Sequence, residues 1–156
     1  MSTRAVVNFY NEYEVEGQRQ NRDARGRFAS GKELVKVRKL NAKIYRHGDG
    51  YPDGLGKDLQ LFLDHVKATL KDTRFNDASY LAAKWVVWDA GRMAKYQSYD
   101  CKTDEYLPVT NPLNFLSVGI MMEDPGDIEY SYDVICNSDW GVAEKMPTII
   151  CHKVPF

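Results

Sequence analysis

Residues 118–137, VGIMMEDPGDIEYSYDVICN, decide what kind of sheet this chain builds. Val118, Ile120 and Met122 alternate with other residues up to the turn-like EDPGD. Beyond it Ile128, Tyr130, Tyr132, Val134 and Cys136 alternate with Glu129, Ser131, Asp133 and Ile135. Two period-two runs around an acidic Pro-Gly segment predict a β-hairpin, and therefore an antiparallel pair.

Outward from this hairpin the other elements follow. Downstream, the irregular NSDWGVAEKMP leads to a last short strand, TIICHKV. Upstream lies a Pro-punctuated stretch, residues 99–115, preceded by two helical patterns. KDLQLFLDHVKATLKD sets Leu59, Phe62, Leu63, Val66 and Leu70 on one stripe, with Lys57, Asp64, Lys67 and Lys71 away from it. NDASYLAAKWVVWDAGRMAKY has Asn76 or Asp77 as N-cap and Leu81, Trp85 and Trp88 on one face. At the N-terminal end, TRAVVNFYNEYEV is rich in β-branched and aromatic residues and predicts a first strand, partnered by ELVKVRKLNAKIYRH. In the partner Val35 and Val37 share one parity while Leu40, Ala42 and Ile44 share the other, which predicts a bulge near Arg38 and Lys39. The element order ββααβββ predicts an α+β fold: a mostly antiparallel sheet of about five strands with two helices on one face.

The 156 residues suit a single domain, 1–156, and 44% hydrophobic against 28% charged residues suits a globular chain. A formal net charge of −1 excludes a protein that coats nucleic acid with its whole surface. It leaves room for a local patch. Residues 16–32, EGQRQNRDARGRFASGK, predict an exposed basic loop, in which Arg19, Arg22, Arg25, Arg27 and Phe28 suit phosphate contacts and one stacking ring. No apolar run approaches the roughly 20 residues that span a bilayer, and the polar start lacks a signal-peptide core, so no membrane partner is expected. Cys101, Cys136 and Cys151 are odd in number and lack C-x-x-C spacing, which predicts buried free thiols rather than disulfides or a zinc site. No metal and no cofactor are expected.

Polar chemistry concentrates in IYRHGDGYPDGLGKDL, residues 44–59. A phosphate-binding P-loop fails there, because Tyr51 stands at its first glycine and Asp58 at its hydroxyl position. A calcium loop starting at Asp49 fails at Tyr51 and Gln60, and the dinucleotide fingerprint meets Asp53 at its third glycine. A strand-to-helix junction remains. If it continues extended past Arg46, His47, Asp49 and Tyr51 project together as a base, its orienting carboxylate and a hydroxyl donor. The competing expectation is turn chemistry, with Asp53 or the Gly56 backbone capping the next helix.

STRA at residues 2–5, a strand, and then YRHGDGYPDGLGKDL together resemble a family of small uncharacterised proteins found in bacteriophages and some prokaryotic genomes, which carry a Y-x-H-x-D-G-Y-P segment before a helix. Gly48 stands where that pattern often has tryptophan, and residues 16–32 are an addition. The resemblance covers about a third of the chain. It implies a viral origin, points to Arg4, Tyr45, His47, Asp49, Tyr51 and Pro52, and brings no catalytic role. NRDARGRFASG separately resembles an R-D-x-x-G-R-F segment of phage proteins, some of them DNA-associated. Three functions are therefore expected in order. The first is a phage accessory protein in the host cytoplasm, binding a host protein complex or a nucleotide-type signal in a counter-defence or host-takeover role, with Arg4, Tyr45, His47, Asp49, Tyr51 and Asp53 as its surface. The second is a small hydrolase or phosphodiesterase-like enzyme using His47, Asp49 and Tyr51. The third is a nucleic-acid contact through residues 19–32.

Overall fold

The structure is a computed structural model that describes residues 2–22, 28–97, 99–106, 113, 116–139 and 144–155, with backbone alone for 18–22, 28–33 and 96–97. β1 (Ala5–Arg22) and β2 (Phe28–Arg46) form a long antiparallel hairpin. A single π-helical turn (Pro52–Gly56) then runs into α1 (Lys57–Thr69), followed by α2 (Ala78–Gln97). The short strands β3 (Tyr99–Asp100) and β4 (Glu105–Tyr106) pair with each other. β5 (Val118–Ile120), β6 (Tyr130–Asn137) and β7 (Thr148–Lys153) complete the main sheet, whose order is β5-β2-β1-β6-β7.

The α+β class, the five-stranded sheet and the two helices agree with the sequence reading. The strand arrangement does not. β5 lies at one edge, antiparallel to β2, while β6 lies on the far side of β1 and runs parallel to it, so the sheet is mixed rather than mostly antiparallel. The order ββααβββ also lacks the β3-β4 pair. The expected hairpin of residues 118–137 does not form because its acidic turn is anchored elsewhere. Asp124 pairs with Lys43 of β2 and Asp127 with Arg4, while the Met121 and Glu129 amides donate to the Lys43 and Arg4 carbonyls. Basic groups on the central hairpin thus draw the connection across the sheet.

The expected loop at residues 16–32 is also corrected. Glu16 to Arg22 and Phe28 to Lys32 carry strand backbone in continuous register, from Glu16 opposite Leu34 to Arg22 opposite Phe28, because pairing begun by the hydrophobic body propagates along the ribbon. Arg25 and Arg27 lie outside the described residues, as do the side chains of Arg19, Arg22 and Phe28. The bulge exists, two residues beyond Lys39: Phe9 faces Ala42 and Tyr10 faces Leu40, which leaves Asn41 as the extra residue. Leu40 therefore turns to the opposite face from Ala42 and Ile44, and is exposed.

Helix positions follow from local chemistry. Asp77 caps α2, its Oδ1 accepting from the Ser79 and Tyr80 amides at 3.2 and 3.3 Å, while the Ala78 amide donates to Asn11 Oδ1 of β1 at 2.8 Å. Leu59, Phe62, Leu63 and Val66 of α1 meet Leu81 and Trp85 of α2 over Ala5, Val7 and Phe9, and Phe62 sets its edge to Trp85 at 5.4 Å. Leu70 lies past the end of α1 and is exposed.

Only one of the three thiols is buried. Burial, with Asp77 nearby, pushes the Cys136 thiol up to about 12, while Cys101 and Cys151 are exposed. A thiol-reactive dye is accordingly expected to modify Cys101 and Cys151 at once in the native protein and Cys136 only as the chain unfolds. Immediate reaction of all three would contradict this packing.

Candidate functional site

The site grows from a charged residue in a position that should be apolar. Arg46 ends β2 on the same side as Ile44, so its side chain enters the layer between sheet and helices and is only 6% exposed. A buried guanidinium needs anionic partners. Asp58, in the first turn of α1, accepts from Arg46 Nη1 at 2.8 Å, and Asp89 of α2 lies 3.9 Å from the same nitrogen. Arg92, one turn beyond Asp89, reaches back to the second Asp58 oxygen at 2.6 Å and lies over the Trp88 ring at 4.8 Å. Arg46, Asp58 and Arg92 thus form a continuous chain tying the end of the sheet to both helices. The helix N-terminus adds its own attraction for the Asp58 carboxylate.

Asp89 is the most enclosed member. Its other oxygen accepts from the Ser117 hydroxyl at 2.9 Å. Burial raises its pKa above the ordinary carboxylate range, with Arg46 and the Ser117 bond pulling the other way.

The junction sequence shapes the wall beside this chain. Asp49 takes a left-handed backbone, φ 55°, and its carbonyl accepts from the Leu55 amide at 2.8 Å, while the Gly54 amide donates to the Tyr51 carbonyl at 3.0 Å. The turn is thereby wound tightly onto itself. A Cβ at Gly54 would stand 2.4 Å from the Asp49 carbonyl oxygen. The turn is also fixed to the sheet, since the Gly50 amide donates to the Thr3 carbonyl at 2.9 Å and the buried Tyr132 hydroxyl donates to the Gly50 carbonyl at 2.8 Å. Burial raises the Tyr132 phenol well above its ordinary range, so it remains a donor.

The result is a recess of about 280 Å³ lined by Arg46, Asp49, Tyr51, Asp58, Arg92 and Met93, together with Gly54. Asp49 and Tyr51 both line it, but not through the extended geometry expected, since β2 ends at Arg46 and Asp49 has a left-handed backbone. His47 does not join them. Its Nδ1 meets the Tyr45 hydroxyl at 3.1 Å, and its carbonyl accepts from the Ser2 hydroxyl at 2.6 Å; among the described residues no hydrogen bond links His47 to Asp49. Arg4 is engaged by Asp127, and Asp53 stands exposed with Lys57 3.3 Å away instead of capping α1. His152 lies on the edge strand β7, held 3.0 Å from Asp133.

Sequence reading missed Arg46, Asp58, Asp89 and Arg92. Three of them carried a signal: Arg46 keeps the parity of Ala42 and Ile44, Asp58 is one turn before Phe62, and Asp89 continues the stripe Leu81–Trp85 at the same four-residue interval. A charge on a buried stripe marks a buried ion pair. No family model, curated protein or solved structure matches this chain. Among the described residues no helix is long and apolar enough to cross a membrane.

Proposed function

We propose that the chain acts by binding, holding a small nucleotide-type ligand in the recess beside Arg92 as a phage accessory protein directed at a nucleotide signal or a nucleotide-bearing host complex. The observation that carries the proposal is the bracing of Arg92. Its guanidinium is pinned by Asp58 at 2.6 Å and stacked on Trp88, yet its side chain remains 43% exposed. Fixed in this way, it offers its free N–H donors to a phosphate with little further loss of side-chain entropy. Asp49 lines the same space as an acceptor for a ribose hydroxyl or base N–H, and Tyr51, 42% exposed, provides an aromatic ring for stacking. A volume of 280 Å³ is near the lower end of the roughly 300–1,000 Å³ usual for ligand pockets, which suits the phosphate and sugar with the base across Tyr51.

The geometry favours binding over hydrolysis by His47. The hydrolytic reading takes Asp49 as the carboxylate that orients His47, whereas Asp49 lines the recess and His47 meets the Tyr45 hydroxyl instead. The viral setting rests on the STRA and Y-x-H-x-D-G-Y-P resemblance.

Thermal denaturation against a panel of mono-, di- and cyclic nucleotides tests the proposal. A ligand at about 100 times its Kd is expected to add about 2.7 kcal/mol, which raises Tm by roughly 5–10 °C in a chain of this size. The Arg92→Ala variant, folded by circular dichroism, should lose that shift. If no nucleotide raises Tm even at millimolar concentration, or Arg92→Ala keeps the full shift, the proposal fails.

A further inference from the structure

The β1–β2 hairpin outgrows the sheet it belongs to. β6 accompanies β1 only as far as Glu12, and β5 covers only Ile44 to Arg46 of β2. Among the described residues the ribbon therefore continues from Tyr13 to Arg22 as two strands alone, ten residues on each side, a length of about 34 Å at the usual rise per residue. A lone two-stranded ribbon is marginally stable in water, so an arm of this length calls for a surface to lie against.

Its charge is sorted along its length. Near the body the ribbon is internally paired, with Arg38 donating to Glu12 at 2.7 Å and Lys36 4.0 Å away from the same carboxylate. The distal strands, residues 18–22 and 28–32, hold Arg19, Arg22 and Lys32 and not one carboxylate. With the whole chain at −1, everything outside these ten residues sums to −4. The surplus of cations thus sits at the distal end of the arm, while its part nearer the body holds Glu14, Glu16 and Glu33 against Lys36.

The residue types narrow the partner. QRQNR on β1 is a run of amides and guanidiniums, the groups that read adenine and guanine edges in a DNA groove. Register sets Arg19 opposite Gly31, Gln20 opposite Ser30 and Asn21 opposite Ala29, so these three polar residues stand across from small ones. We propose that this arm is a DNA-binding ribbon that enters the major groove of B-form duplex DNA, with Arg19, Arg22 and Lys32 for phosphates and Gln18 and Gln20, which alternation puts on one face, for base edges. The major groove, about 12 Å wide, admits a two-stranded ribbon, whereas the major groove of A-form RNA is too deep and narrow for side chains to read. Shape therefore selects DNA. The proposal is independent of the recess at Arg92.

Fluorescence anisotropy with a labelled, mixed-sequence DNA duplex decides it. Three phosphate contacts predict affinity falling about 40-fold between about 50 and about 200 mM monovalent salt. The triple variant Arg19→Ala, Arg22→Ala, Lys32→Ala should bind at least about tenfold more weakly at low salt and lose most of that salt dependence, while keeping the wild-type circular dichroism spectrum and gel-filtration volume. Arg92→Ala should bind the duplex as wild type does, which separates a failure here from a failure of the recess. Absence of binding at low salt, undiminished binding by a folded triple variant, or tighter binding to an RNA duplex of the same sequence would each overturn the assignment. So would a second copy covering the arm, seen as a dimer in light scattering that does not bind DNA.

Discussion

Replacing Arg46 by methionine is expected to lower the unfolding free energy by about 3–5 kcal/mol. The methionine chain fills much of the same space, so the loss is chiefly electrostatic. Asp89, 1% exposed, is left with the Ser117 hydroxyl, and Asp58 keeps Arg92 alone. The deficit should depend on pH. Burial already gives native Asp89 a pKa above its unfolded value, so the native state holds that proton more tightly and this group's contribution declines as pH rises from the ordinary carboxylate range toward the folded value. Without the Arg46 charge the folded value rises further. The difference between wild type and variant should therefore be widest near neutrality and shrink in acid, as Asp89 becomes neutral in both. Urea denaturation at several pH values measures it, and a loss below about 1 kcal/mol, or a deficit that grows in acid, would show that Arg46 is not the tie between sheet and helices.

What the sequence disclosed divides along the range of the interactions. The helices were legible because their spacing is local: Leu59, Phe62, Leu63 and Val66 need only the 3.6-residue repeat to declare a face. The flip in parity on β2 was legible as well, but its location at Asn41 is set by where Phe9 and Tyr10 sit on the other strand. Alternation identifies a strand without naming its neighbour. For residues 130–137 the neighbour is β1, more than 100 residues earlier in the chain, chosen by a hydrophobic strand with an open edge and by Arg4 and Lys43 waiting for Asp127 and Asp124. The candidate site divides in the same way. Asp49 and Tyr51 stood out through the density of polar residues in one junction, whereas Arg46, Asp58, Asp89 and Arg92 are spread over three elements. They combine only when β2, α1 and α2 close over a common core.

Gly50→Ala is the second large loss expected, about 3 kcal/mol, because the new methyl group would have nowhere to go. An added Cβ would lie 2.7 Å from the Ala5 Cβ, 2.8 Å from the Thr3 carbonyl oxygen and 3.0 Å from the Arg4 carbonyl carbon. None of these is the movable end of a long side chain. The first strand or the junction must shift, and either motion stretches the bond from the Gly50 amide to Thr3 and the bond from the Tyr132 hydroxyl to the Gly50 carbonyl. The latter leaves a buried phenol donor without its acceptor, which adds to the steric cost. Gly48, two residues earlier, provides the internal control: no atom lies within 4 Å of the position its Cβ would take, so Gly48→Ala should change stability by less than about 1 kcal/mol. The contrast separates two roles within one glycine-rich segment. If Gly50→Ala is as stable as Gly48→Ala by thermal denaturation, the junction is not seated on β1 as described, and the wall that Asp49 and Tyr51 give the recess loses its support. If instead Gly50→Ala alone falls by roughly 6–12 °C, the segment that looked like a ligand loop is first a clasp between β1, β6 and α1, and its side chains face the recess because the clasp holds them there.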